Sequence, residues 1–325
     1  MMRIIYLSFI ALFIALFIAS TGIAQINVKQ FENVDLLVKK LGHLPLLNVA
    51  SIADTLTQNF SDKTLKSRAI FSWIANNIAL DPKAVRSNDN KNIQPENVIL
   101  NRKTTSLGFA TLFQEMCSLA DIRCLTVDGY SKFNIEQIGE IPDELNYSWN
   151  VIQLSISPSN WYYVDAAKAS GSLDKKFMVF TPSFSDCYFF SEKNIFNLDH
   201  FPDNNAWMLG NGSKTAKMFF DLPLIGIGAY NQKLISFFPE NGFIKSNTTK
   251  AVSFIINLQN YANISNVSII IGDGVTQSKP ERVNFTSSNG EIKFNYTFKK
   301  EGEYPFKILA NGNLLLTYKI EAAED

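Results

Sequence analysis

The sequence predicts an α+β fold followed by a small β-sandwich, and three observations carry that prediction. Apolar residues recur at three- and four-residue spacings through Ile52, Leu56, Phe60, Leu65, Ala69, Ile70, Trp73, Ile74 and Ile78, and again through Phe109, Leu112, Phe113 and Met116, as amphipathic helices require. From Leu125 the period changes to two. Beyond Ser246 the chain becomes a series of short apolar runs separated by Gly, Asn and Pro, the pattern of a sandwich.

In order, residues 28–46 form a mixed lead-in, and two helices follow, separated near Ser61-Asp62-Lys63 and ended by Asp81-Pro82. Residues 82–97, polar and rich in Asn and Lys, read as a surface loop, and Val98-Ile99-Leu100 as a short apolar segment. Thr104-Thr105-Ser106-Leu107-Gly108 is a tight turn running straight into the third helix. Strands are expected at 125–130, 149–154 and 161–165, the last two joined through a turn at 157–160. Residues 166–240 mix loops, aromatics and short elements. Strands are expected at 252–258, 267–271, 282–286, 291–298, 304–310 and 314–320. No Cys…Trp…Cys pattern accompanies them, so the immunoglobulin-like label rests on strand count. The domains are therefore a leader (1–24), an α+β domain (25–245) and an immunoglobulin-like sandwich (246–325).

Composition narrows the function. With 46% hydrophobic residues, 13% aromatics and 18% charged residues, the chain can build packed cores and is no disordered polymer. The formal net charge is zero without a basic block, which argues against a nucleic-acid partner. At the amino terminus, Arg3 precedes the apolar run Ile4–Ala19 and the small residues Gly22 and Ala24. This is the pattern of a secretory signal peptide cleaved after Ala24. At about 1.5 Å per residue the run spans roughly 24 Å, short of a ~30 Å hydrocarbon core, so no stable membrane insertion is expected after cleavage. Export to the periplasm or the extracellular space follows. The vocabulary rich in Asn, Ile and Lys suggests a low-GC bacterium, and sequons such as Asn266-Val267-Ser268 are a by-product of that bias rather than glycosylation sites.

The odd number of cysteines, Cys117, Cys124 and Cys187, leaves at least one unpaired; a Cys117–Cys124 bridge has the spacing to form but no further support. No metal-ligand spacing occurs and His43 and His200 are the two histidines, so neither metal nor cofactor is expected.

The order of motifs resembles the transglutaminase-like superfamily, whose catalytic domain is papain-like. Lys66–Ile78 with Asp81 is similar to its opening helix, Val98–Ala110 to the nucleophile segment, and Asp128-Gly129-Tyr130-Ser131-Lys132 to the strand after the helix. Tyr147-Ser148-Trp149-Asn150 resembles the histidine strand and Val164-Asp165-Ala166 the aspartate strand. Cys187-Tyr188-Phe189-Phe190 and His200-Phe201-Pro202-Asp203 with Trp207 resemble the kyphoscoliosis-peptidase branch, in which a sandwich follows the catalytic domain. The likeness runs from about residue 50 to 245.

That resemblance implies acyl transfer or amide hydrolysis by a Cys–His–Asp triad. A nucleophile at the start of a helix would have its thiol pKa lowered by the backbone N–H groups and the helix dipole. Carried over by position, Ser106 stands at the cysteine, Tyr147 at the histidine and Asp165 at the aspartate. A serine hydroxyl needs a base, and a tyrosine of pKa about 10 donates rather than accepts at neutral pH. Loss of nucleophile or base alone costs roughly a millionfold in a serine protease. Cys117 is no substitute, since eleven residues of helix place it roughly 16 Å further along the axis. His200, in the His-Phe-Pro stretch, is assigned a structural role, and His43 packs among leucines or lies at the surface.

The resulting expectation is a pseudoenzyme: a secreted, catalytically inactive binding or scaffold module of the bacterial cell envelope. Ser106, Tyr147 and Asp165 would be a vestigial, hydrogen-bonded trio. A groove lined by Trp149 would hold a peptide, protein or glycan of the envelope, although core packing is the simpler expectation for Trp149. The competing expectation is a residual acyl-transfer enzyme or hydrolase with Ser106 as nucleophile and Glu115 or Asp128 as base. A purely structural protein is a third.

Overall fold

The computed structural model describes residues 22–44, 48–155, 160–261 and 264–324. The expected leader lies outside these residues except for Gly22–Ala24, as does the expected 157–160 turn except for Asn160. Among the described residues no helix is long and apolar enough to cross a membrane.

Three helices form one side of the first domain: α1 (Gly22–Leu41), α2 (Val49–Thr57) and α3 (Lys63–Asn77). The mixed lead-in of residues 28–46 is helical as far as Leu41. Asn48 and Asp62 start α2 and α3 by accepting the N–H groups of Ser51 and Leu65, as capping residues do. Arg68, fully buried in α3, is tied to Asp35 of α1 by two hydrogen bonds of 3.0 and 2.6 Å. The expected loop at 82–97 contains a short helix, Pro82–Arg86, because Asp81 caps it and Pro82 fits the first helical position. Val98-Ile99-Leu100 is helical too, inside Pro95–Asn101.

Helix α4 (Ser106–Leu119) packs on an antiparallel sheet of β1 (Arg123–Ser131), β2 (Tyr147–Ser155), β3 (Asn160–Val164) and β4 (His200–Pro202). The spatial order is β3-β2-β1-β4. Pairing sets the register of the site: Tyr147 lies opposite Gly129, Asn150 opposite Val164, and Ser131 opposite His200.

The second domain is a sandwich of two sheets. One orders the strands Leu234–Phe238, Ala251–Leu258, Glu291–Thr297 and Thr286–Ser288. The other orders Phe243–Asn247, Asn313–Ala323, Gly302–Ala310, Val267–Ile271 and Glu281–Arg282, with Leu224–Ile225 added along Asn313–Ala323. Phe254 of the first sheet meets Phe306 of the second at 5.2 Å and Tyr318 at 5.5 Å, so aromatic rings fill the space between the layers. The expected strand at 282–286 is two short strands instead, Glu281–Arg282 and Thr286–Ser288. Two strands upstream of residue 246, Leu224–Ile225 and Leu234–Phe238, and a third that spans it, Phe243–Asn247, all pair with strands beyond it. The sandwich therefore starts ahead of the 245/246 boundary read from the sequence.

Candidate functional site

Ser106 is the first residue of α4, placed there by a crowded turn. A Cβ on Gly108 would stand 1.9 Å from Thr104 Oγ1, so only glycine lets the chain fold so closely at this point. Thr105 precedes the helix without capping it, and its hydroxyl donates to Asn90 Oδ1 at 2.7 Å. Ser106 Oγ accepts the backbone N–H of Ser148 at 3.2 Å. Helix start and strand β2 are thereby joined at the serine itself.

Tyr147, at the start of β2, donates its hydroxyl to Asp165 Oδ2 at 2.9 Å, with Oδ1 at 3.2 Å. Burial, together with the charge and hydrogen bond of Asp165, holds the phenol well above its ordinary pKa, so it stays a donor. Asp165 caps the short helix Ala166–Ser170 by accepting the Lys168 N–H at 2.9 Å. The two predicted residues Tyr147 and Asp165 therefore meet directly, while Ser106 is joined to the neighbouring residue of β2. No hydrogen bond links Ser106 to either of them among the described residues.

His200 completes the arrangement, in a place the sequence reading did not assign. Its Nε2 lies 2.9 Å from Asp165 Oδ2, and its Nδ1 faces the Phe196 carbonyl at 3.3 Å. Both neighbours are acceptors, so each ring nitrogen is engaged away from Ser106. The ring is 0% exposed and stacks on Phe196 with centroids 3.7 Å apart. Asp165 thus serves a tyrosine and a histidine together. The available signal was the scarcity of histidine combined with the position of His200 in the His-Phe-Pro stretch.

A second ionic group lies beside the first. Lys168 Nζ meets Asp199 Oδ2 at 2.6 Å, and the hydroxyl of Tyr230 donates to the same oxygen at 3.2 Å. Lys132 Nζ donates to the Phe219 and Leu222 carbonyls, both at 2.6 Å. Burial lowers its amine to about 7, against the opposing pull of Asp199 and Asp221.

A cavity of about 650 Å³ opens in front of these groups, lined among others by Ser106, Tyr147, Asp128, Lys132, Lys168 and Asp199. Trp149 does not line it. At 1% exposure it packs against Phe196 and His200, on the face of β2 opposite the Asn150 amide that donates to the Ala110 carbonyl of α4; core packing, the simpler of the two expectations, describes its place. Of the alternative bases, Asp128 accepts the Ser148 hydroxyl at 2.7 Å and makes no bond to Ser106 among the described residues. Glu115 is exposed on α4 and away from the cavity lining. Cys117, Cys124 and Cys187 are free, and burial pushes the Cys117 thiol up, opposite to what a nucleophile needs. No group of three or more His, Cys, Asp or Glu side chains suited to a metal occurs among the described residues.

Residues 50–166 match the family model of the transglutaminase-like superfamily. The chain is similar to kyphoscoliosis peptidase of Homo sapiens, at 30% identity over 228 residues, covering 70% of this chain and 34% of that protein. The Mus musculus protein of the same name gives 30% over 227 residues, with the same coverage. Hillarin of Drosophila melanogaster gives 23% over 206 residues, covering 60% of this chain and 25% of hillarin. The chain thus spans about a third of the length of the kyphoscoliosis peptidases it matches. The helix start, the three strands and Asp165 all fall inside the matched segment, and on these grounds residues 50–166 are a domain of the transglutaminase-like superfamily, in a chain related to the kyphoscoliosis peptidases.

Proposed function

We propose that this chain is a non-catalytic transglutaminase-like module of the bacterial cell envelope, exported by its leader, which binds a peptide, protein or glycan in the cavity beside Ser106. One observation carries the reading: the carboxylate that would orient a catalytic imidazole is occupied by the Tyr147 phenol and by a buried His200. A base must reach the nucleophile it deprotonates. Among the described residues, the hydrogen-bond partner of Ser106 Oγ is a backbone N–H, which donates to the oxygen and cannot take its proton.

The names of the relatives make peptide-bond hydrolysis the activity to test. Purified chain is assayed against a panel of peptides and esters, in parallel with Ser106→Ala, Ser106→Cys and Ser106→Cys/Tyr147→His. The expected result is no turnover above buffer in the natural chain and a thiol-dependent gain in the double variant, whose histidine would sit where Asp165 can orient it. Turnover by the natural chain that disappears in Ser106→Ala overturns the reading in favour of a residual hydrolase.

A further inference from the structure

The cavity has a second wall, supplied by the sandwich domain through Leu224, Ile225, Ile227 and Leu314. Strand Leu224–Ile225 pairs with Asn313–Ala323, Ile225 lying opposite Leu316. Immediately after it, the Gly226 N–H donates to the Leu315 carbonyl at 2.8 Å. A Cβ at Gly226 would stand 2.3 Å from the Leu314 carbonyl oxygen, and one at Gly228 2.7 Å from it. The two glycines let segment 224–228 lie directly on the start of strand Asn313–Ala323. All four aliphatic residues are half-buried, and the cavity is the space they line.

The amines on the opposite wall are already engaged within the fold. Lys168 is held by Asp199 at 2.6 Å and Lys132 by two carbonyls at 2.6 Å. Asp128, at the exposed edge, accepts from Ser148 at 2.7 Å. An anionic group entering the cavity would lose its hydration beside amines already engaged, and a cationic one would meet Asp128 only at the solvent-exposed edge, whereas an apolar group would cover aliphatic surface. The volume of about 650 Å³ lies in the range that small-molecule sites occupy.

We infer that the cavity is a site for an uncharged apolar group, an aliphatic or aromatic side chain presented by a peptide, and that the sandwich wall selects it. The inference rests on the binding reading above and adds the chemistry of the ligand. The matched pair N-phenyl-1-naphthylamine and its sulfonated analogue 8-anilinonaphthalene-1-sulfonate tests it on the full chain by fluorescence. Saturable one-site binding of the neutral probe is expected, at least tenfold tighter than binding of the sulfonate. N-acetyl-phenylalanine amide should displace it and N-acetyl-lysine amide should not. Ile227→Glu and Leu314→Glu should each weaken the neutral probe at least tenfold, and Ile235→Glu, at a site 67% exposed on the sandwich, should leave it unchanged. Leu314→Phe, which occupies the space without adding charge, should also weaken binding while the chain keeps its unfolding temperature. Equal or tighter binding of the sulfonate, or wild-type binding by the Ile227 and Leu314 variants, overturns the inference. So does loss of binding in Ile235→Glu, which would place the probe on the outer surface. These readouts are independent of turnover, so a failed binding experiment and a positive hydrolysis assay are distinct results.

Discussion

The two walls of the cavity are built on opposite principles. On the transglutaminase-like side, polar lining groups are joined to neighbours in the fold: Tyr147 to Asp165, Lys168 to Asp199, Lys132 to two carbonyls. On the sandwich side, aliphatic side chains are half-buried and face open space. Catalysis requires groups whose hydrogen-bonding capacity is held in reserve for a transition state, whereas Tyr147, Lys168 and Lys132 are each engaged within the fold. Recognition by apolar contact needs uncovered surface, and the second wall has it. The difference can be broken from either side.

The largest effect is expected at Asp165. It is 1% exposed and accepts from Tyr147, His200 and the Lys168 N–H. Asp165→Ala strands three buried donors and removes a helix cap, a loss of about 3–5 kcal/mol on the scale of broken buried ion pairs. Urea unfolding should show a large fall in midpoint. An unchanged midpoint would mean the network contributes little, and the polar wall would then be free for another task.

Lys132 comes next, through pH. Its amine is lowered to about 7 in the folded chain from an ordinary 10.5. Between those values the unfolded chain holds a proton that the folded chain lacks, so the sign is fixed: stability rises with pH from 7 towards 10.5 and is lost again as pH falls back to 7. The slope is at most about 1.4 kcal/mol per pH unit. Lys132→Met should flatten the stability profile between pH 7 and 9.5. The window stops there because burial raises the phenols of Tyr147, Tyr188 and Tyr230, which subtract stability above about pH 10, the ordinary tyrosine value. A variant with the same slope as the natural chain would show that Lys132 stays charged throughout.

On the apolar wall, Gly226→Ala introduces a Cβ 2.3 Å from the Leu314 carbonyl oxygen. Relief requires the 224–228 segment to lift off the sandwich, at about 1–3 kcal/mol by the cost of overpacking. Neutral-probe binding should fall together with the unfolding midpoint. A falling midpoint with unchanged binding would separate the glycine contact from the cavity.

The fold behind this contrast is legible in the sequence, but unevenly. The helices, the strands from Leu125 onward and the turn at Ser106 follow from apolar spacing, which is a local signal. The positions of Tyr147 and Asp165 follow from the order of motifs. Two features were hidden for physical reasons. His200 reaches Asp165 only because β4 pairs with β1 at Ser131, a contact across 35 residues that no spacing rule encodes. The sandwich wall depends on the pairing of Leu224–Ile225 with Asn313–Ala323, and so short a strand carries no periodicity. For Trp149 the simpler expectation of core packing describes its place, since β2 is buried on both faces from Tyr147 to Gln153.

The smallest effect is expected at the residue on which the fold's old chemistry would centre. Ser106 is 8% exposed, and among the described residues it accepts the Ser148 N–H at 3.2 Å. Ser106→Ala removes that acceptor beside a cavity into which water can follow, so the cost is about 1 kcal/mol, near that of an ordinary hydrogen bond. A working nucleophile is held in a strained, destabilised setting, and its replacement commonly stabilises the protein at the expense of activity. A serine kept only as a link between α4 and β2 behaves the other way. Comparison of Ser106→Ala with the natural chain in the same urea series decides between the two: a modest loss fits a structural link, whereas a gain in midpoint would show that Ser106 is still held under functional strain.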